Sequence, residues 1–182
     1  MNLPNKLTIL RVIMIPFFIF FLLFKPNEAS FRIIAEVLFC AASFTDMLDG
    51  KIARKYGLVT NFGKFMDPLA DKLLVCSAMI CLLSLGQLPT VAVIIIVARE
   101  FIISGFRLIA ADNGIVIAAS MWGKSKTVSQ MAMVIWLIIM PLFKGQAAAI
   151  FANILICLAT ILTVVSLIDY LVKNKDVLKE QN

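Results

Sequence analysis

Long apolar runs broken by short polar turns recur from one end of this chain to the other; ILRVIMIPFFIFFLLF is the first of them. With 62% of its 182 residues hydrophobic and 15% charged, the chain has too little polar surface to cover a water-soluble globule. A bilayer crossing takes about 20 apolar residues. The chain therefore reads as an all-α polytopic membrane protein, a six-transmembrane-helix bundle in one domain over residues 1–182. The spans are expected at about 6–24, 31–56, 66–86, 88–111, 122–143 and 147–172. Between them, KPNEAS, GLVTNFG, LGQLP, ADNG and FKGQ carry turn-forming residues. The opening MNLPNKLTILR is too polar for a signal-peptide start and no small-residue cleavage site follows, so the first span is expected to remain.

Charge gives the orientation. The N-terminus, the 51–72 and 107–126 segments and the C-terminal tail hold 13 of the 17 lysines and arginines, against Lys25, Arg32 and Lys144 on the other side and Arg99 within a span. By the positive-inside rule both termini are expected on the cytoplasmic face. The net charge of +6 suits anionic lipid or anionic substrates, and no nucleic-acid partner is expected. Histidine is absent, which removes triads with a histidine base and histidine-ligated zinc. Cys40, Cys76, Cys81 and Cys157 sit singly in apolar runs, without the spacing of a metal or redox site.

Against this background DMLDGKIARKYGLVTNFGKFMDPLAD places four carboxylates near one membrane face. Asp46 and Asp49 are three residues apart, and Asp67 and Asp71 four apart, so each pair shares a face of its helix. Two antiparallel helices joined by a short connection bring all four towards one interface. Like charges in a partly desolvated site need protonation or a bound cation. An all-oxygen donor set favours a hard ion, Mg2+ with Mn2+ or Ca2+ as alternatives, and carboxylates from two helices suit a pair of ions. Gly50 and Ala53 leave room for a bulky group against the backbone, and the Arg54 guanidinium suits phosphate. Together these features suggest a diphosphate. The plainer alternative is that the acids neutralise nearby basic residues while Gly50 and Ala53 permit close helix packing.

The pattern D-x2-D-G-x2-A-R, about eight residues, then G-x3-D-x3-D is filled here by Asp46, Asp49, Gly50, Ala53, Arg54, Gly63, Asp67 and Asp71. In this the chain resembles the CDP-alcohol phosphotransferase family, and the six-span bundle resembles the family fold over nearly the whole length. The resemblance implies attack of an alcohol on the β-phosphorus of a CDP-linked lipid or alcohol, with release of CMP. It also implies Asp46, Asp49 and Asp67 as principal metal ligands with Asp71 close by, and Asp71 as the general base. Asp49, Gly50, Ala53 and Arg54 would hold the CDP moiety, Thr60 would add a hydroxyl, and the assembly would be a homodimer.

The motif does not choose the acceptor. Downstream, Arg99, Arg107, Lys124 and Lys126 gather towards the cytoplasmic half of the fourth and fifth spans. Arg99 is costly at its depth, about 3 kcal/mol on insertion scales, and is expected to face the bundle interior towards Glu100 or a substrate phosphate. The segment REFIISGFRLIAADNGIVIAASMWGKSKT and the opening NLPNKLTILRVIMIPF resemble the bacterial branch of the family whose acceptor is glycerol 3-phosphate and whose donor is CDP-diacylglycerol, in the plasma membrane. Asn5, Thr8 and Arg11 follow the same N-terminal pattern. An inositol-phosphate acceptor, or a divalent-cation transporter with the aspartates as its ion path, are the competing readings. Arg32 and Glu36, four apart, are expected to pair on one helix face, and Trp122 to anchor at the interface.

Overall fold

A computed structural model describes residues 2–56, 61–112, 117, 120–143 and 145–174, with the side chains of 3, 4, 47–56, 61–65, 67, 68, 71 and 112 outside the description. These residues form six α-helices: α1 (Leu3–Phe24), α2 (Ala29–Tyr56), α3 (Asn61–Ser84), α4 (Thr90–Asp112), α5 (Met121–Ile139) and α6 (Gln146–Lys173). A 3-10 turn, Met140–Leu142, follows α5. Among the described residues, Asn5–Phe24, Met121–Leu142 and Gln146–Lys173 are long and apolar enough to cross a membrane by length and composition.

The surface is that of a bilayer protein. Phe17, Phe24, Val37, Ile80, Val91, Phe101, Leu108 and Ile161 are exposed, whereas Arg11, Arg32, Arg99 and Lys126 are buried. Hydrocarbon rewards that inversion, because apolar side chains need no cover there and charged ones need partners.

The chain divides into two compact units, Met1–Gln87 with Val134–Gly145, and Leu88–Met133 with Gln146–Asn182. In the first, α1, α2 and α3 pack against one another. Fully buried alanines at 35, 42, 70 and 78 let the helices approach closely, and the Phe18 and Phe39 rings meet at 5.7 Å between centroids. Lys25, between α1 and α2, donates to Glu28, as does Ser30, and these contacts hold the Glu28 carboxyl below the usual carboxylate range. In the second unit α4 packs on α6, with Ile103, Phe106 and Tyr170 at the centre of their contact. The buried face of α6 reads Ala152, Ile156, Ala159, Thr163, Ser166, Tyr170, alternating steps of four and three along one stripe, with two hydroxyls in its middle.

One arginine ties the turns of the first unit together. Gly86, with φ +70°, ends α3 in the left-handed conformation that suits glycine. Gly86 N–H donates to the Leu83 carbonyl and Gln87 N–H to the Leu82 carbonyl, each at 2.9 Å, satisfying the last carbonyls of the helix. The turn brings Gln87 to Arg32, whose Nη1 donates to Gln87 Oε1 and to the Ile138 carbonyl at 3.1 Å, while its Nε donates to the Pro26 carbonyl at 2.6 Å. The expected pairing of Arg32 with Glu36 is therefore not the one formed. Carbonyls at helix ends have no intrahelical donor, and Arg32 supplies one to the last turn of α5 and to the α1–α2 turn. Glu36 instead accepts from Cys40 Sγ at 3.3 Å.

Replacing Arg32 by leucine strands three acceptors at once. We expect a loss of about 3 kcal/mol, read as a lower unfolding temperature of the detergent-solubilised protein. Arg32→Lys recovers only part of it, since one ammonium lacks the guanidinium fork.

Candidate active site

Asp46 and Asp49 lie on α2 and Asp67 and Asp71 on α3, so the intervals of three and four residues are helical intervals and each pair shares a face. The two helices are in contact. Of the four, the Asp46 side chain is described. Its Oδ1 lies 2.8 Å from Nη1 of Arg11, which is itself fully buried, while the Asp46 side chain is 39% exposed. Arg11 Nε also donates to the Ala42 carbonyl at 3.3 Å. Ala42 and Asp46 are one helical turn apart, so a single guanidinium from α1 grips one turn of α2 and fixes the aspartate at its end. Asn5 and Thr8, at steps of three before Arg11, are buried as well; the three form a polar stripe inside an otherwise apolar helix. The side chains of Asp49, Gly50, Ala53, Arg54, Asp67 and Asp71 lie outside the described residues, and Thr60 lies outside them altogether.

The donor chemistry fits a divalent cation. The quartet is all carboxylate and contains no nitrogen or sulfur, as hard ions prefer. Its described member presents a half-exposed carboxylate whose orientation is set by an arginine rather than by chance.

A second polar cluster occupies the other unit. Arg99 on α4 is buried at 8% exposure and Lys126 on α5 at 2%. Arg99 Nη1 donates to Glu100 Oε1 at 3.3 Å and Nη2 to Ser166 Oγ at 2.6 Å. Lys126 Nζ donates to the same Glu100 oxygen. Among the described residues, two cations thus share one carboxylate. Glu100 and the depth of Arg99 are as the sequence leads one to expect. Ser166 is not legible there: it is one of several hydroxyls in α6, and only the α4–α6 packing selects it. Arg107 and Lys124 are exposed. The Arg107 guanidinium lies 5.8 Å from the centre of the Tyr170 ring, a cation–π contact at a residue sequence reasoning passed over.

Comparison with known proteins then settles the class. Residues 1–166 match the model of the CDP-alcohol phosphatidyltransferase family, and the chain belongs to that family. Within it, the chain is 42% identical over 191 residues to the CDP-diacylglycerol–glycerol-3-phosphate 3-phosphatidyltransferase of Bacillus subtilis (strain 168), covering 100% of this chain and 99% of the relative. It is 41% identical over 174 residues to the protein of the same name from Haemophilus influenzae, covering 93% and 91%. It is 40% identical over 173 residues to the probable phosphatidylglycerophosphate synthase of Mycobacterium tuberculosis (strain H37Rv), covering 94% and 81%.

Glu100→Gln leaves two buried cations facing a neutral amide. Removing one partner of a buried ion pair costs about 3–5 kcal/mol, so thermal unfolding of this variant is expected well below wild type, and further below it than that of Arg107→Ala, whose side chain is exposed.

Proposed function

We propose that this membrane enzyme converts CDP-diacylglycerol and glycerol 3-phosphate into phosphatidylglycerophosphate and CMP. The observation that carries the choice of acceptor is the burial of two cations, Arg99 and Lys126, side by side on Glu100, a concentration of positive charge that suits an anionic substrate. A phosphomonoester carries the negative charge such cations attract, whereas serine or another unphosphorylated alcohol does not. The names of the relatives point the same way.

In this reading, Asp46, Asp49 and Asp67 hold divalent cation, with Asp71 close by, and the bound charge offsets that developing on the diphosphate as CMP departs. Mg2+ is the ion proposed, two per site, with Mn2+ as a substitute. Arg11 keeps Asp46 in place. Gly50 and Ala53 leave the backbone of α2 open to the CDP moiety, Asp49 and Arg54 hold it, and Thr60 adds a hydroxyl contact. Arg99 and Lys126 take the acceptor phosphate, with Arg107 and Lys124 contributing positive potential at exposed positions. Asp71 accepts the proton of the acceptor hydroxyl as its oxygen bonds to the β-phosphorus and the bond to the CMP oxygen breaks. Holding both reactants in line gives the step much of its rate.

The same reading takes residues 1–182 as one catalytic domain of six spans in a bacterial plasma membrane, with both termini and the aspartates on the cytoplasmic side. There the acyl chains stay among the membrane lipids and the soluble acceptor arrives from the cytoplasm. A homodimer is the proposed assembly, and nucleic acid has no part in it. An inositol-phosphate acceptor is the second reading, because the same cluster would neutralise its phosphate.

Purified protein with CDP-diacylglycerol and Mg2+ is expected to release CMP and form lipid product with glycerol 3-phosphate, and not with inositol 1-phosphate or serine. Product from inositol 1-phosphate alone would keep the chemistry and overturn the acceptor. Movement of labelled cation without CMP release would favour a transporter. Asp71→Asn should lower kcat by about 10²–10⁴-fold while CDP-lipid and metal binding persist, and Asp46→Asn should weaken metal binding too.

A further inference from the structure

One backbone carbonyl of α2, that of Ala42, is claimed by donors from two helices. Thr45 Oγ1 donates to it at 2.7 Å, and Arg11 Nε, from α1, donates to it at 3.3 Å. α-Helical pairing assigns the same carbonyl to the N–H four residues on, which is that of Asp46. A carbonyl oxygen has two lone pairs, so three donors compete for it. Between the side chains the outcome is visible in the lengths: the threonine bond is short, and the arginine bond is longer than the usual range. Arg11 and Ala42 are fully buried, so water has little access with which to relieve the competition.

The long bond matters because the same guanidinium reaches Asp46. Arg11 Nη1 lies 2.8 Å from Asp46 Oδ1, and in a planar guanidinium Nε does not move without Nη1. Thr45 therefore limits how closely Arg11 Nε approaches α2, and with it where the terminal nitrogen meets the carboxylate. Ser43 gives the contrast. Its Oγ donates to the Phe39 carbonyl at 2.8 Å, a bond of the same kind two residues away, yet among the described residues no side chain from another helix donates to that carbonyl. A hydroxyl that bonds back to its own helix is commonplace. At Thr45 the acceptor is shared with the arginine that holds Asp46, which helix formation does not require.

We infer that Thr45 is a positioning residue for Asp46: by occupying the Ala42 carbonyl it sets the docking of Arg11, and through Arg11 the direction of the carboxylate offered to a divalent cation. The inference rests on the proposed reading of Asp46 as a ligand of that cation, and adds to it a residue outside the aspartate pattern.

The test uses the full-length enzyme in detergent. It compares Thr45→Val, which keeps the shape and removes the hydroxyl, with Thr45→Ser, which keeps the hydroxyl, and with Ser43→Ala, which loses the matching bond to Phe39. Mn2+ is the probe, its binding followed by electron paramagnetic resonance and calorimetry without substrate, and the unfolding temperature and KM for glycerol 3-phosphate are read alongside. Thr45→Val is expected to weaken Mn2+ binding about tenfold, as loss of a contact that orients a metal ligand does, and Thr45→Ser to restore most of it. Ser43→Ala should bind Mn2+ as wild type does, although the two variants lose similar bonds and should unfold at similar temperatures. KM for glycerol 3-phosphate should follow in none of them. Should Thr45→Val fail to fold, Thr45→Ala takes its place. Mn2+ binding by Thr45→Val within about twofold of wild type, or weakened equally in Ser43→Ala, overturns the positioning role alone. Wild-type protein that binds no Mn2+, or Asp46→Asn that binds it as wild type does, overturns the metal reading together with it.

Discussion

A charged side chain inside a bilayer must find a partner or leave, because hydrocarbon offers it no water. Arg11, Arg32, Arg99 and Lys126 are each buried and each engaged: Arg11 by Asp46 and the Ala42 carbonyl, Arg32 by acceptors from two turns and the end of α5, Arg99 by Glu100 and Ser166, and Lys126 by Glu100. Apolar packing does little to choose between arrangements in lipid, since the tails are as apolar as leucine. The pairings are what distinguish one register of helix against helix from the next. Arg11 specifies which turn of α2 meets α1, and Arg99 which turn of α6 meets α4.

The same requirement explains the chemistry available. Carboxylates concentrated on α2 and α3 seek cations, and one of them is already held by arginine. Among the described residues, cations on α4 and α5 share one carboxylate. Opposite charges are thus gathered separately, carboxylates on α2 and α3 and cations on α4 and α5, as suits an enzyme of this family, whose reaction handles phosphate groups.

The helices were legible from hydropathy because apolar length is a local property. The spans expected at about 6–24 and 147–172 coincide with α1 and α6 to within a few residues. The largest miss is the start of α3, which begins at Asn61 rather than near 66. Its first residues, NFGK, carry turn-forming asparagine and glycine and read as a loop, although a helix that emerges at the membrane surface need not be apolar in its first turn. The aspartate intervals were legible for the same local reason. The partners were not. Asp46 answers a residue 35 positions away, and Arg99 one that is 67 away; nothing in the spacing of either segment names the other. Arg32 shows how local reasoning misleads: a same-helix acid four residues on is a reasonable partner, but the unsatisfied carbonyls of helix ends, which only tertiary structure brings near, compete for the same donors.

Glycine is where sequence and structure divide most usefully. Gly86 and Gly123 look alike in sequence, each at a helix boundary. Gly86 has φ +70°, which only glycine adopts freely, and its role is satisfied by the turn it makes. Gly123 lies inside the first turn of α5, where alanine would be the better residue for the helix by about 1 kcal/mol, and among the described residues no close contact forbids alanine. The first glycine is dictated by its own backbone; the second is dictated neither by its backbone nor by its described neighbours, a distinction that spacing in the sequence does not carry.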